Sequence, residues 1–482
     1  MRLLHATWEV EAAVLRVVKK IESLKSHDSK DMPSPNKEKM GAIQFTMTSS
    51  LFTTNNGQRA ATLGKQLCVE LLQELYKLGW DLELSSDLAR SEYQAAALFF
   101  RKTSIERPGA RVVCVAPGKK DMFILLNFDQ GVKEKVVEAI QETWPEGVQG
   151  SEDSEVLGLT LHNIKMNGNP WFTSDADVDN NRIICRVVSK LSELNLRLVA
   201  GINIKGGTDS LFFIQDSSSS PEKIDFCSIS LCKCDRLRLV DCKEMCDTIQ
   251  QVIQKNKYHI QDKSIKEHHA KLNLSGSPWN CSGYESVKSR QLISRISERM
   301  LSQGWALTDA LDISRREDDK SMLLYRRCPP TTARFSCISL TSSNHLRLID
   351  FHAGDQEMMS KSITEHYLPG VEVVANTEPC SLKFSLAGSP WSDPSGSDLG
   401  WALHARSMLL HLLNTAHQLG YRLAVSADVS AKYQTDGDGN PEYPLDVHTI
   451  YLVKQDSNEA PPSYESAISD IRDDVFEFIS NI

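Results

Sequence analysis

Twelve cysteines, an acidic run that opens like a calcium loop, and aspartates recurring at one place in a repeat are the residues of this 482-residue chain whose types could do chemistry. The densest thiol group is Cys227, Cys232, Cys234, Cys242 and Cys246. A structural zinc takes four thiolate or imidazole ligands in a tetrahedron, commonly from pairs separated by two residues. Cys232-x-Cys234 has neither that gap nor a second pair at a standard distance. Asp436-Gly437-Asp438-Gly439-Asn440 fails as a calcium loop because its sixth position is Pro441, where glycine must turn, and its twelfth is Val447, where a bidentate carboxylate belongs. The recurring acids Asp87, Asp312 and Asp428 have no histidine, serine or cysteine recurring beside them, and catalysis needs at least two groups of complementary role. No phosphate-binding loop, dinucleotide fingerprint, H-E-x-x-H or G-x-S-x-G occurs. No catalytic residue, cofactor or metal is expected.

These residues sit in a tandem repeat. Gly-x-Pro-Trp occurs at Gly168–Trp171, Gly276–Trp279 and Gly388–Trp391, with a degraded copy at Ser49-Ser50-Leu51-Phe52. The aromatic markers are 119, 108 and 112 residues apart, the length of a small domain. A leading strand with period-two alternation precedes each copy, as in Leu382-Lys383-Phe384-Ser385-Leu386. An amphipathic helix follows, marked in the third copy by Val287, Leu292, Ile293, Ile296 and Met300. Its predicted stop is Gly79-Trp80, Gly304-Trp305 or Gly420-Tyr421, with Asn195-Leu196 in the second copy, where glycine or asparagine takes the left-handed cap. Next come a strand ending at Asp87, Asn203, Asp312 or Asp428, an apolar strand, a hairpin and a closing helix. The hairpins Phe226–Cys242 and Phe335–Phe351 align without a gap, and Ser336, Thr341, Ser343 and Phe351 stand where the second copy has thiols. That internal control makes the cysteines reduced buried or turn thiols, for the same hairpin is built without them.

The predicted fold class is α+β: a tandem array of about 110-residue units, each a four- to five-stranded mainly antiparallel sheet with two helices, the last unit truncated. The expected boundaries are an N-terminal amphipathic helix (1–25), a polar linker (26–41), units at 42–160, 161–269, 270–380 and a truncated 381–455, and a tail at 456–482. A half-unit exposes a sheet edge, so the fourth must dock on an earlier unit or be completed by another segment, for which the N-terminal helix is a candidate. In the unit, Gly-x-Pro-Trp reads as a turn that drops an indole onto the core, and the strand-end aspartate as a turn cap. Arg101-Lys102 and Arg326-Arg327 read as solvated strand ends, since Gln215 replaces them in the second copy.

With 41% hydrophobic residues the chain can build several small cores. A net charge of -9 argues against a general nucleic-acid binder, which neutralises phosphates with a basic surface. No apolar run approaches a membrane span, leaving peripheral membrane contact open, and Glu9, Glu11 and Arg16 interrupt what would be a signal core. A cytoplasmic location is expected.

One segment carries recognisable interaction chemistry. Ala460-Pro461-Pro462-Ser463-Tyr464-Glu465 lies after the last repeat and resembles the Pro-Pro-x-Tyr ligand of WW domains. The prolines pre-form an extended polyproline helix suited to an aromatic groove, and the tyrosine fills a neighbouring pocket. The resemblance implies Pro461, Pro462 and Tyr464 as contact residues and a WW-domain partner such as a HECT-type ubiquitin ligase; phosphorylation at Tyr464 would block the pocket. The stretch Ser466 to Ile482 reads as an acidic amphipathic helix with Ile468, Ile471, Val475, Phe478 and Ile479 on one side. The expected function is a non-enzymatic scaffold or adaptor whose repeats bind a protein or other cargo. The alternative is a lipid- or metabolite-binding repeat protein with a regulatory tail, told apart by ligand-sized apolar cavities.

Overall fold

The structure is a computed structural model that describes residues 1–24, 35–37, 42–45, 57–88, 96–171, 177–204, 208–215, 221–313, 320–374, 380–392, 399–430, 433–435, 441–444, 446–455 and 476–480. The first unit runs β1 (Arg2–Leu4), α1 (Trp8–Ser23), β2 (Pro35–Lys37), β3 (Ile43–Phe45), α2 (Gly57–Lys77), β4 (Trp80–Ser86) and β5 (Ala97–Lys102). The second runs β6 (Arg111–Gly118), β7 (Met122–Leu126), α3 (Gln130–Thr143), β8 (Val148–Val156), β9 (Leu159–Met166), α4 (Asp177–Ser192), β10 (Leu196–Ile202) and β11 (Ser210–Gln215). The third has β12 (Phe226–Cys232), β13 (Arg236–Val240), α5 (Cys246–Lys255), β14 (Ile260–Ile265), β15 (His269–Leu274), α6 (Gly283–Ser302), β16 (Trp305–Leu311) and β17 (Met322–Arg327). The fourth has β18 (Ala333–Thr341), β19 (His345–Ile349), α7 (Ala353–His366), β20 (Val371–Val374), β21 (Ser381–Leu386), α8 (Leu399–Gln418), β22 (Arg422–Ala427), a small hairpin of β23 (Tyr433–Thr435) and β24 (Pro441–Pro444), and β25 (Asp446–Gln455). One more strand, β26 (Phe476–Ser480), follows.

The α+β class and the tandem repeat hold, and the sheets add detail. Four sheets of six antiparallel strands have the same order: β10-β11-β6-β7-β9-β8, β16-β17-β12-β13-β15-β14, β22-β25-β18-β19-β21-β20 and β4-β5-β26-β1-β3-β2. Counted from the leading strand, the fourth period stops at β25, but β22 and β25 pair onto the hairpin of the preceding period. Each sheet therefore joins a hairpin to strands on the far side of the next signature, which raises the count to six and shifts the units by about half a period from the boundaries read off the signature. The N-terminal helix is not an outlier; α1 is the closing helix of the first unit, equivalent to α3, α5 and α7. Residues 35–37, placed in the polar linker, form edge strand β2 on β3.

The first unit is the exception that explains the chain ends. It begins one strand late, and the missing place is taken by β26, which pairs with β1 (Leu3 opposite Ile479) and with β5 (Phe478 opposite Phe99). The acidic helix expected over Ser466–Ile482 is corrected here: residues 476–480 are a strand, since Phe476-Glu477-Phe478-Ile479 suits an extended chain paired on both sides. The rest of that stretch lies outside the described residues.

The inner strands of each sheet are buried on both faces, which is why Val112 to Ala116 of β6 and Leu211 to Ile214 of β11 are an unbroken apolar run. Val113 and Val115 enter a core with α3, α4 and the third unit's Leu311, Met322 and Leu324. Val112, Cys114 and Ala116 enter another with Val14 and Val18 of α1 and Leu71 and Leu72 of α2. The same arrangement recurs at the other junctions, including Leu84, Ala97 and Phe99 of the first unit against Ile338 and Leu348 of the fourth. Helices pack as pairs, α1 with α2, α3 with α4, α5 with α6 and α7 with α8, and the second of each pair touches the next unit at β6, β12, β18 or β26. The layers close into a ring.

The signature ties each hairpin to the strand that follows it. Gly168, Gly276 and Gly388 have φ of 72°, 75° and 78°, the left-handed region open to glycine. The turn buries Trp171, Trp279 and Trp391, whose indole N–H groups donate to Met122 O (2.9 Å), Arg236 O (3.1 Å) and His345 O (3.0 Å). These carbonyls begin the second hairpin strand. In the first unit Arg2 opposes Gln44 as Ile124 opposes Asn163. Phe52, the marker there, has no side-chain N–H to donate; its copy lies outside the described residues.

Replacing Trp279 with Phe should destabilise the protein by about 1–3 kcal/mol, because the Arg236 carbonyl loses its buried donor; denaturant unfolding measures it. Deleting residues 476–482 should speed amide exchange in β1 and β5 far more than in β12 and β13, read by hydrogen-exchange mass spectrometry. Equal protection with and without those residues counts against the closure.

Candidate functional site

The strands next to the ring centre are β4, β10, β16 and β22, each in contact with the next and β22 with β4. They run into Asp87, Asn203, Asp312 and Asp428, the positions singled out by their recurrence. Each backbone carbonyl accepts a hydrogen bond from the neighbouring unit: Asn203 O from Ala96 N (2.9 Å), Asp312 O from Asp209 N (2.6 Å), Asp428 O from Ser321 N (3.2 Å) and Asp87 O from His448 N (3.2 Å). Three of the donor residues return an acceptor. Asp209 Oδ2 accepts from Asp312 N (2.8 Å), Ser321 Oγ from Asp428 N (2.9 Å) and His448 Nδ1 from Asp87 N (3.2 Å). The fourth place holds Ala96, whose methyl has nothing to return. A turn-capping role remains for Asp428, whose Oδ1 accepts from Ser430 N at 3.0 Å, but the recurring position mainly supplies a backbone clamp between units.

The clamps differ in how they titrate. At the junction of the second and third units, Asp309 Oδ2 accepts from Gly201 N (2.8 Å) and Oδ1 from Ala310 N (2.9 Å), while a Cβ at Gly201 would run into Leu311. Desolvation by burial pushes the Asp209 carboxyl up to about 7 and that of Asp309 up to about 8. At the junction of the fourth and first units, burial lowers the His448 imidazole to about 4. Its Nδ1 must stay unprotonated to accept from Asp87 N, so the neutral ring carries its proton on Nε2. Ser426 Oγ donates to Ser86 Oγ across the same junction at 2.7 Å.

Other candidates resolve into structure. Lys102 donates to Leu78 O and lies 5.7 Å from the Trp80 ring centre; Arg327 donates to Gln303 O (3.0 Å) and lies 5.1 Å from Trp305. Gln215 donates to Leu194 O (3.2 Å), and Lys454 pairs with Asp355 (2.8 Å) over Tyr421. Three of these four residues satisfy a carbonyl in the turn that follows the preceding helix. Arg101 pairs with Glu83 at 2.7 Å. Cys227, Cys232, Cys242 and Cys246 are buried thiols, and among the described residues no group of three or more histidine, cysteine or acidic side chains is arranged to hold a metal ion. β23 and β24 flank Asp436–Asn440, which itself lies outside the described residues, as do Pro461, Pro462 and Tyr464.

Sequence reasoning missed the hub as an inter-unit clamp. Its signal was there in part, as the recurrence of an acid or amide at the strand end; the partners Ala96, Asp209, Ser321 and His448 share no residue type, because a backbone N–H does half the work.

The geometry defines a closed ring of four α+β units with an interlocked hub. A single family model, of one domain, matches the chain four times, over residues 1–101, 111–215, 225–326 and 334–453, and the chain belongs to that family. The matched segments follow the sheets, not the period counted from the signature. No curated protein and no solved structure matches the chain. Among the described residues no helix is long and apolar enough to cross a membrane.

Asp209 and Asp309 have folded-state pKa values above the ordinary carboxylate value, so their contribution to stability is full below about pH 4 and is lost as pH rises through about 7 and 8. The thermal unfolding midpoint should therefore fall from about pH 4 to about pH 8 and level off above that. Asp309→Asn keeps an acceptor for Gly201 N but cannot ionise, and should flatten that fall; a profile identical to the parent's would contradict the buried-carboxyl account.

Proposed function

We propose that this protein is a non-enzymatic adaptor: the ring of repeated domains holds a protein cargo, and Pro461-Pro462-Ser463-Tyr464 recruits a WW-domain partner such as a HECT-type ubiquitin ligase. The observation that carries this reading is the motif's place in the chain. Residues 456–475 connect β25 of the fourth unit to β26 in the first, so the motif is tethered to the ring at both ends. A bound partner is thereby kept beside the junction of those two units, where it acts on whatever the ring holds at high effective concentration. The backbone groups of Asp87, Asn203, Asp312 and Asp428 hold neighbouring units together at the hub, which supports reading the ring as a rigid binding body. Repetition of one domain supports the same role.

The test is a titration of a fluorescent peptide spanning Ser457 to Ser469 against a panel of WW domains, followed by capture of those domains by the full chain. Tyr464→Ala should weaken both by about tenfold or more, as expected for an aromatic anchor residue. Binding indifferent to that substitution sinks the proposal.

A further inference from the structure

The gap between β1 and β5 is unlike its three counterparts. In the other units the strand at this place is joined to its neighbour by a turn of three residues, 119–121, 233–235 or 342–344, so it can hardly leave without unfolding its sheet. In the first unit the strand arrives from the other end of the chain, through a connection of 20 residues. β26 is held by main-chain pairing on both sides, Arg2, Leu3 and Leu4 opposite Ser480, Ile479 and Phe478, and Leu98 to Arg101 opposite Ile479 to Phe476. It also underlies α8 of the fourth unit. Two-sided pairing admits only an extended segment, and both flanking strands are antiparallel to it, which fixes its direction.

We propose that the slot between β1 and β5 is a strand-acceptor site that takes residues 476–480 of a second copy of this chain as well as its own. The pairing is the same whether the strand comes from the same chain or another, so the choice rests on effective concentration. A tether of about 20 residues holds its end at an effective concentration in the millimolar range. The chain's own strand wins when copies are dilute. When copies are crowded, reciprocal exchange links two rings strand into slot, a low-cost route to a dimer because no new surface has to be built.

The register gives the test. Arg2 stands opposite Ser480, so R2C and S480C introduced together place two thiols across the slot, while introduced in separate full-length chains they meet only by exchange. Both are made with C380S, since Cys380 is exposed. The double variant should be cross-linked within one chain by a short bis-maleimide. The mixed single variants should give a cross-linked pair between chains, identified by mass spectrometry, rising with protein concentration toward about 1 mM. F478P in the strand-donating chain, which removes a ladder N–H, should abolish it. The unmodified chain should also take up a fluorescent peptide of residues 470–482 and release it to excess unlabelled peptide. Cross-linking confined to single chains at every concentration, no cross-link at all in the double variant, or no uptake of the peptide each overturns the proposal.

Discussion

The inner strands of each sheet are apolar on both faces, and the sheet's own helix pair covers only one of them. That constraint dictates the assembly. A unit standing alone would expose a sheet face on one side, and an open row of four would still leave a bare sheet at one end and a bare helix pair at the other. Setting each helix pair against the next sheet satisfies every internal unit, and bringing the fourth helix pair onto the first sheet satisfies the last two surfaces. The result is four cores at four junctions, with no core belonging to one unit alone. Cooperativity should follow the junctions, because loss of one helix pair uncovers two sheets.

Much of this was legible in the residues. The glycine and asparagine caps stand at φ of 74° for Gly79, 82° for Gly304, 85° for Gly420 and 58° for Asn195, as the chemistry of left-handed caps requires. The indoles are buried, and the aligned hairpins pair in matching registers, Ser228 opposite Val240 and Cys337 opposite Ile349. Phase and closure were not legible. A period found from Gly-x-Pro-Trp repeats equally well from any starting point, and no local property of β9 says whether its sheet lies before or after it. For β26 the helical spacing of Ile468, Ile471, Val475 and Ile479 competed with the alternation of Phe476 to Ile479, and two waiting strands decided between them.

The hub shows how a repeated position can keep one role with unlike side chains. The carbonyl of Asp87, Asn203, Asp312 or Asp428 meets a backbone N–H in every case, so the geometry belongs to the main chain. The returning side chain is then free to be a carboxyl, a hydroxyl, an imidazole or nothing. Each choice sets its own response to protons: one junction loosens when its carboxyls ionise, another when His448 gains a proton, and the Ser321 junction does neither. The ring is nearly fourfold in shape and plainly unequal in chemistry.

The placing of β26 also orders events in time. On a ribosome the first unit emerges with its sheet divided, β1 and β3 on one side of the gap and β4 and β5 on the other, while the second and third units have all six of their strands once residues 215 and 327 are out. The first of the four sheets is thus the last to be finished. It waits, edges open, through the synthesis of more than three hundred residues, and in that interval it depends on helpers or on speed to stay clear of other chains.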